Sequence, residues 1–397
     1  MYKLWLFSLL LFPVWLLAQN SEMKVVPQDE QEFTADKIIR GLVNSGVEVL
    51  EVSTNFGNKS HVMGFYYDPI RYMGIGQGMI LSTGVVDNVA TANSSEGYTS
   101  AELDMPTLKN YALAHLDSLG QMASNFNIAK LATEGDEDLS KEIAGLKTYD
   151  ARIVEISFIP SADTLYYRYV FASEEYEEFV CSSYNDVFAF YLSREGRKKK
   201  NIALVPGKRQ PVSINTINNG NPRNPSCKKS NAHLYQKNDG RQNLLYDGFT
   251  KVLDVRQKVI PGKVYHLKIA IADASDNVLD SSVLIENGSI FSYFNFFELH
   301  FGLNSSVADN KKILRKTLQA LQKHPNSKVQ LIGHSDLSGD AIYNFELSKK
   351  RVQSIKEQLM EEGIEVDRIL EAYKGETMPR YEEAAKNRRV EIFILGA

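Results

Sequence analysis

Asp336 and Arg351 are the side chains whose types and spacing most directly suggest a binding chemistry. Asp336 lies in Gly333-His334-Ser335-Asp336-Leu337-Ser338-Gly339, where two glycines bracket a polar turn. Glycine permits backbone conformations that other residues resist. Val329, Leu331 and Ile332 lead in as a buried strand. Across 341–362, Leu347, Val352, Ile355 and Leu359 recur at helical spacing. Arg351 therefore sits about three turns into a long helix. Strand, tight loop and helix set one carboxylate and one guanidinium at a shared cleft. That pair suits a ligand carrying both an ammonium and a carboxylate, because the planar, permanently charged guanidinium matches two carboxylate oxygens. The competing arrangement is an internal Asp336–Arg351 salt bridge with no ligand. Exposed pairs contribute only ~0–1 kcal/mol, which gives such a framed loop little reason.

A second chemistry is offered by two acidic runs. Ala172-Ser173-Glu174-Glu175-Tyr176-Glu177-Glu178, followed closely by Asn185-Asp186, is one; Ile271-Ala272-Asp273-Ala274-Ser275-Asp276 with Asp280 is the other. Both are expected at strand ends, where loops converge. Glu174, Glu175, Asp186, Asp273, Asp276 and Asp280 form a candidate calcium set, since calcium takes hard oxygen ligands. Their spacing does not match an EF-hand loop. The alternatives are acids that cap turns in water, or a pair of carboxylates for glycoside hydrolysis, where the separation decides the chemistry. The glycine-rich run from Gly74 to Gly84 lacks the lysine and strand-to-helix setting of a phosphate loop, and reads as a turn feeding a buried strand.

The chain that must hold these groups has 397 residues, enough for two domains, each with its own core. A net charge of -4 leaves no electrostatic footprint for nucleic acid. Residues 1–18 read as a signal peptide: Lys3, an apolar run over 4–17, then Ala18. The run is shorter than the ~20 residues of a membrane-spanning helix. No cysteine follows it, so no lipid anchor is expected. Export to an oxidising compartment favours a disulfide between Cys181 and Cys227, the only two cysteines, over two free thiols.

Residues 19–32 are polar and expected to be mobile. Thr34 caps a short helix faced by Ile38, Ile39, Leu42 and Val43. Alternating runs then mark strands at Val47–Val52, Val154–Phe158, Leu165–Phe171, Val187–Tyr191, Val264–Ile271 and 281–286. A helical insert is expected over 105–147, with Leu108, Tyr111, Leu116, Leu119 and Met122 on one face. The basic run Arg197-Lys198-Lys199-Lys200 reads as a solvated hairpin tip. These features predict a mainly β, sandwich-like N-terminal domain over 33–290. Little linker is visible at 288–296, where Phe291, Tyr293, Phe294, Phe296 and Phe297 already look like packing residues. The remainder, 297–397, reads as an α+β sandwich, a mixed sheet with helices on one face.

Two resemblances follow from these residues. The run Tyr169-Val170-Phe171-Ala172-Ser173-Glu174-Glu175-Tyr176, with Asn185-Asp186-Val187-Phe188-Ala189-Phe190, resembles the choice-of-anchor L domain of Bacteroidota surface and secreted proteins. Leu81-Ser82-Thr83-Gly84, Asn201-Ile202-Ala203-Leu204-Val205-Pro206-Gly207 and the run from Ile271 to Ser281 extend the match. That resemblance implies no defined chemistry. The C-terminal stretch resembles the OmpA-like peptidoglycan-binding domain. It does so through Gly333-His334-Ser335-Asp336, Gly339, Tyr343-Asn344, Leu347-Ser348, Arg351, Gly375-Glu376, Pro379 and Asn387-Arg388-Arg389-Val390-Glu391-Ile392. In that family an Asp and an Arg grip the zwitterionic end of diaminopimelate in the cell-wall peptide stem. The resemblance implies Asp336 for the ammonium and Arg351 for the carboxylate. Ser335 and Leu347 complete the site, Asn344 positions the loop or contacts the peptide, and Arg388 closes the cleft. Ser335 stands for the commoner Thr, Val352 for Ala, and Gly302 where Asp is frequent, which leaves the cleft floor one polar contact short.

The expectation is an exported, non-enzymatic envelope protein, periplasmic and associated with cell wall and outer membrane. It is held to peptidoglycan and presents a β-rich domain to another envelope or outer-membrane protein. The alternatives are a calcium-dependent hydrolase in the N-terminal domain and a wall-anchored component of a secretion or motility machine.

Overall fold

The computed structural model describes residues 23–29, 33–57, 61–90, 134–143, 145–182, 185–240, 243–275, 279–307, 310–381 and 383–397. The signal-peptide residues, the apolar positions of the expected insert from Leu108 to Met122, and Asp276 lie outside them. Among the described residues no helix is long and apolar enough to cross a membrane.

The chain runs β1 (Lys24–Pro27), α1 (Ala35–Leu42), β2 (Val47–Thr54), β3 (Met63–Tyr67), β4 (Gln77–Ser82) and α2 (Glu137–Glu142). It continues through β5 (Thr148–Pro160), β6 (Thr164–Ser173), β7 (Val187–Arg194), β8 (Arg197–Asn201), β9 (Tyr235–Lys237), β10 (Gly248–Thr250) and β11 (Leu253–Lys258). Then come β12 (Tyr265–Ala274), β13 (Ser281–Glu286), β14 (Phe291–His300), α3 (Lys311–Lys323), β15 (Val329–Gly333), α4 (Ala341–Glu361), β16 (Ile369–Tyr373), α5 (Ala384–Asn387) and β17 (Arg389–Leu395).

A five-stranded sheet, β2-β5-β12-β7-β8, faces the first part of a twelve-stranded sheet of order β1-β3-β4-β13-β6-β14-β17-β15-β16. The β-sandwich core lies between them. It is dense in aromatics because the inward residues of β6 and β7 meet ring on ring: Tyr169 lies 4.9 Å from Phe190, and Phe171 4.9 Å from Phe188. Every residue of β6 is buried, as a central strand covered on both faces requires. Thr34 caps α1, accepting the Lys37 amide at 3.3 Å, and Ile38, Ile39 and Leu42 pack inward.

Two expectations are corrected. The 19–32 segment is not mobile throughout, because Lys24–Pro27 ladders antiparallel with Tyr67–Gly64 as an edge strand. The basic run is not a hairpin tip. Gly196 turns the chain at φ +70°, and Arg197–Asn201 form edge strand β8, whose exposed charges discourage pairing with another chain.

The second domain is the mixed sheet β14-β17-β15-β16, with α3 and α4 packed on one face. Leu299, Leu321, Leu331, Val352, Ile355 and Ile392 fill that layer. The two domains share a strand. Phe291–Tyr293 of β14 pair with Tyr166–Thr164 of β6, and the rest of β14 pairs with β17. Tyr166, Phe291, Tyr293 and Phe393 stack on the other face of this junction. Charge pairs reinforce it: buried Glu286 sits 2.6 Å from Arg168 and also pairs with Lys374, while half-buried Arg380 meets Asp254 at 2.6 Å and Glu298 at 2.8 Å.

Candidate functional site

β15 ends at Gly333, where close approach to α4 excludes a side chain: an added Cβ would lie 2.3 Å from Ser348 O. The chain then crosses the sheet end through His334, Ser335 and Asp336. Asp340 caps α4, accepting the amides of Ile342 and Tyr343 at 2.9 and 3.2 Å. This fixes the loop between strand and helix at both ends.

Asp336 Oδ2 accepts from Arg388 Nη1 at 2.8 Å, and Oδ1 accepts from the Ser338 amide at 3.1 Å. Burial opposes its charge, but these bonds and the Arg388 charge outweigh burial and hold the carboxyl below the ordinary aspartate value. Arg351 is fully buried. It donates from Nε to Ser305 O at 2.9 Å, from Nη1 to His334 O at 2.8 Å and from Nη2 to Gly302 O at 3.3 Å. Burial lowers its pKa to about 10. No ion pair joins Asp336 to Arg351; the acid is paired with Arg388 instead. Arg351, expected at a shared cleft, lies beneath the 302–305 backbone.

Asn344 braces the loop, donating to Ser338 O at 3.0 Å and Glu376 Oε2 at 2.5 Å. The Ser335 amide donates to Gly375 O at 2.7 Å, while its buried hydroxyl has no hydrogen-bond partner. Leu347 is buried on α4 beneath the loop. Around these polar groups Leu303, Val307, Leu337, Ile342 and Tyr343 are exposed. Sequence reasoning missed the Gly302 and Ser305 carbonyls on Arg351 and the Glu376 brace; only Gly375-Glu376, within the motif, pointed to the latter.

The acidic runs do converge, but inward. Glu175 Oε2 accepts the Asp186 amide at 2.9 Å, Asp186 Oδ1 the Ala274 amide at 3.1 Å, and Glu174 Oε2 the Asp280 amide at 2.9 Å. Burial, with the neighbouring Asp280, raises Glu174 to about 8; burial, with Asp150, raises Asp280 to about 6. Asp186 and Asp273 are also raised by burial. Among the described residues no three His, Cys, Asp or Glu side chains are grouped to hold a metal ion, and Glu174, Glu175 and Asp186 each direct one oxygen at a backbone amide. Cys181 and Cys227 are joined as a disulfide, Cα atoms 5.9 Å apart.

The Choice-of-anchor L domain family matches residues 25–292, and the OmpA family matches 304–392. Outer membrane protein A of Bordetella avium is 30% identical over 113 residues, 27% of this chain and 57% of that protein. Outer membrane protein 40 of Porphyromonas gingivalis is 33% identical over 94 residues, 23% of this chain and 25% of that protein. The peptidoglycan-associated lipoprotein of Buchnera aphidicola is 31% identical over 98 residues, 23% of this chain and 57% of that protein. The crystal structure of the peptidoglycan-associated lipoprotein from Burkholderia pseudomallei is 22% identical, with a TM-score of 0.23, over 25% of this chain and 88% of that one. The chain therefore spans little more than half, or less, of the curated relatives it matches. With two thirds of its length in the first match, the chain belongs to the Choice-of-anchor L domain family and carries an OmpA family domain behind it.

Proposed function

We propose that this protein is an envelope component moored non-covalently to peptidoglycan by its OmpA domain. Its β-sandwich would present a surface to another envelope or outer-membrane protein. The observation that carries the reading is the loop after β15: an ionised Asp336, oriented by Arg388, lies beside a guanidinium whose bonds are only to backbone carbonyls. Asp336 would take the ammonium of a diaminopimelate stem, and Arg351 its carboxylate. Carbonyl bonds are exchangeable, and carboxylate oxygens are stronger acceptors for a guanidinium. Capture would replace the Gly302 and Ser305 carbonyls with ligand oxygens, so the 302–306 loop gives way on binding. Relatives named as peptidoglycan-associated lipoproteins support this reading.

Co-sedimentation with purified sacculi tests it. Asp336→Asn keeps the side-chain volume and removes the charge; Arg351→Lys keeps a charge and loses the planar fork. Each is expected to weaken retention at least tenfold, with melting temperatures recorded alongside. Full retention of both variants would end the anchoring claim.

A further inference from the structure

Strand β11 has a strand neighbour on one side only among the described residues. Leu253–Lys258 ladder with Tyr169–Thr164 of β6. The preceding β10 is covered on its outer side by β9, Tyr235 being the last residue of that cover. Beyond it the outer edge of β11 faces a cleft of about 640 Å³ instead of a strand. Segment 200–208 and, from the OmpA domain, residues 378–381 form the other walls, so the cleft lies along the seam of the two domains.

The cleft is cationic. Lys200, Lys208, Arg256, Arg380 and Arg389 line it against Asp254. Counting Glu298 and Glu391, which pair with Arg380, five cations meet three acids, an excess of two. The guanidiniums are committed to these acids, Arg256 to Asp254 at 2.7 Å and Arg389 to Glu391 at 2.8 Å, so the excess is carried by the exposed Lys200 and Lys208. Leu204 and Phe296 add apolar wall.

A strand edge carries a row of amide and carbonyl groups ready to pair with another chain, and proteins normally block it. β8 is blocked by its own exposed cations. β11 instead lines a cleft whose uncompensated cations are Lys200 and Lys208. We propose that the β11 edge is the docking site for an extended acidic peptide segment of a partner protein. The segment adds as a strand to the large sheet. Main-chain bonds supply affinity, and alternate side chains meet the cationic and apolar walls.

The test uses two end-blocked eight-residue peptides, one alternating valine and glutamate, the other valine and lysine. Binding to the purified protein is followed by fluorescence anisotropy and by amide hydrogen exchange. The glutamate peptide is expected to bind at least tenfold more tightly than the lysine peptide and to slow exchange in 253–258 while leaving β8 unchanged. The double variant Lys200→Glu, Lys208→Glu changes two exposed residues and is expected to weaken the glutamate peptide at least fivefold at unchanged melting temperature. Equal affinities, no binding at millimolar peptide, or binding without protection of 253–258 would overturn the proposal. The last is what simple anion capture gives, and an inorganic phosphate arm identifies it.

Discussion

Replacing Phe393 with Ala is expected to lower the stability of both domains together, by about 3–5 kcal/mol. Phe393 is fully buried on β17, in the OmpA domain. Its ring lies 5.0 Å from Tyr166 of the sandwich, 5.2 Å from Phe291, 5.1 Å from Tyr293 and 4.9 Å from Phe296. Truncation removes transfer energy and leaves a cavity that ring neighbours on two ladders cannot collapse to fill. The cost is shared because β14 hydrogen-bonds to β6 at one end and to β17 at the other. Domains joined by a linker would behave differently, since only the OmpA domain would lose protection. Native-state amide exchange decides between the two. Protection is expected to fall in β6 and β17 alike. Loss confined to 296–395, with β6 unchanged, would show that the shared strand does not couple the halves.

That coupling was only partly legible in the sequence. The helical spacing through Leu347, Val352, Ile355 and Leu359 located α4, and the apolar run over 281–286 located β13, because buried faces write themselves as periodicity. The aromatic run after Ser289 announced packing. It did not reveal that one strand would join the two domains into a single sheet, since pairing partners on the order of a hundred residues apart leave no local trace. β1 was missed because four half-buried residues on an edge carry too little pattern. In the candidate site, the motif points to Asp336, Arg351, Asn344 and Arg388 as one group; in the fold Asp336 pairs with Arg388, while Arg351 and Asn344 bond to other partners. Their bonding was illegible for a physical reason. Arg351 is held by backbone carbonyls, and every residue has one, so no residue type at 302 or 305 could announce it. The acidic runs show the converse: side chains that look like exposed ligands fold inward onto amides of neighbouring strands.

Those inward acids predict an unusual pH dependence: stability falls as pH rises from about 5 to 8. Glu174 carries the clearest case. Burial, then the nearby Asp280, raises its pKa from 4.5 to about 8. Between those values the folded state holds a proton that the unfolded state has released, so the slope of unfolding free energy against pH is negative. The contribution is complete below about 4.5 and lost by about 8, on the order of 5 kcal/mol at most for a shift of this size. Asp280, raised from 3.8 to about 6, loses its share earlier, as does Asp68, raised by burial over the same range. The opposite slope belongs to groups held below their ordinary values: at higher pH to the buried bases His334, lowered by burial, and Lys374, lowered by burial to about 7, and at low pH to two acids. Glu286 and Asp336 are held below their ordinary values, burial being outweighed by Arg168 and Lys374 in one case and by Arg388 in the other. They stabilise only once ionised. Urea midpoints at pH 5, 6.5 and 8 are expected to decline in that order, and Glu174→Gln, which keeps the side chain neutral at every pH, is expected to flatten the decline between 6.5 and 8. A midpoint that holds or rises from pH 5 to 8, with Glu174→Gln tracking the wild type at every pH, would mean that Glu174 is already ionised in the fold at pH 5.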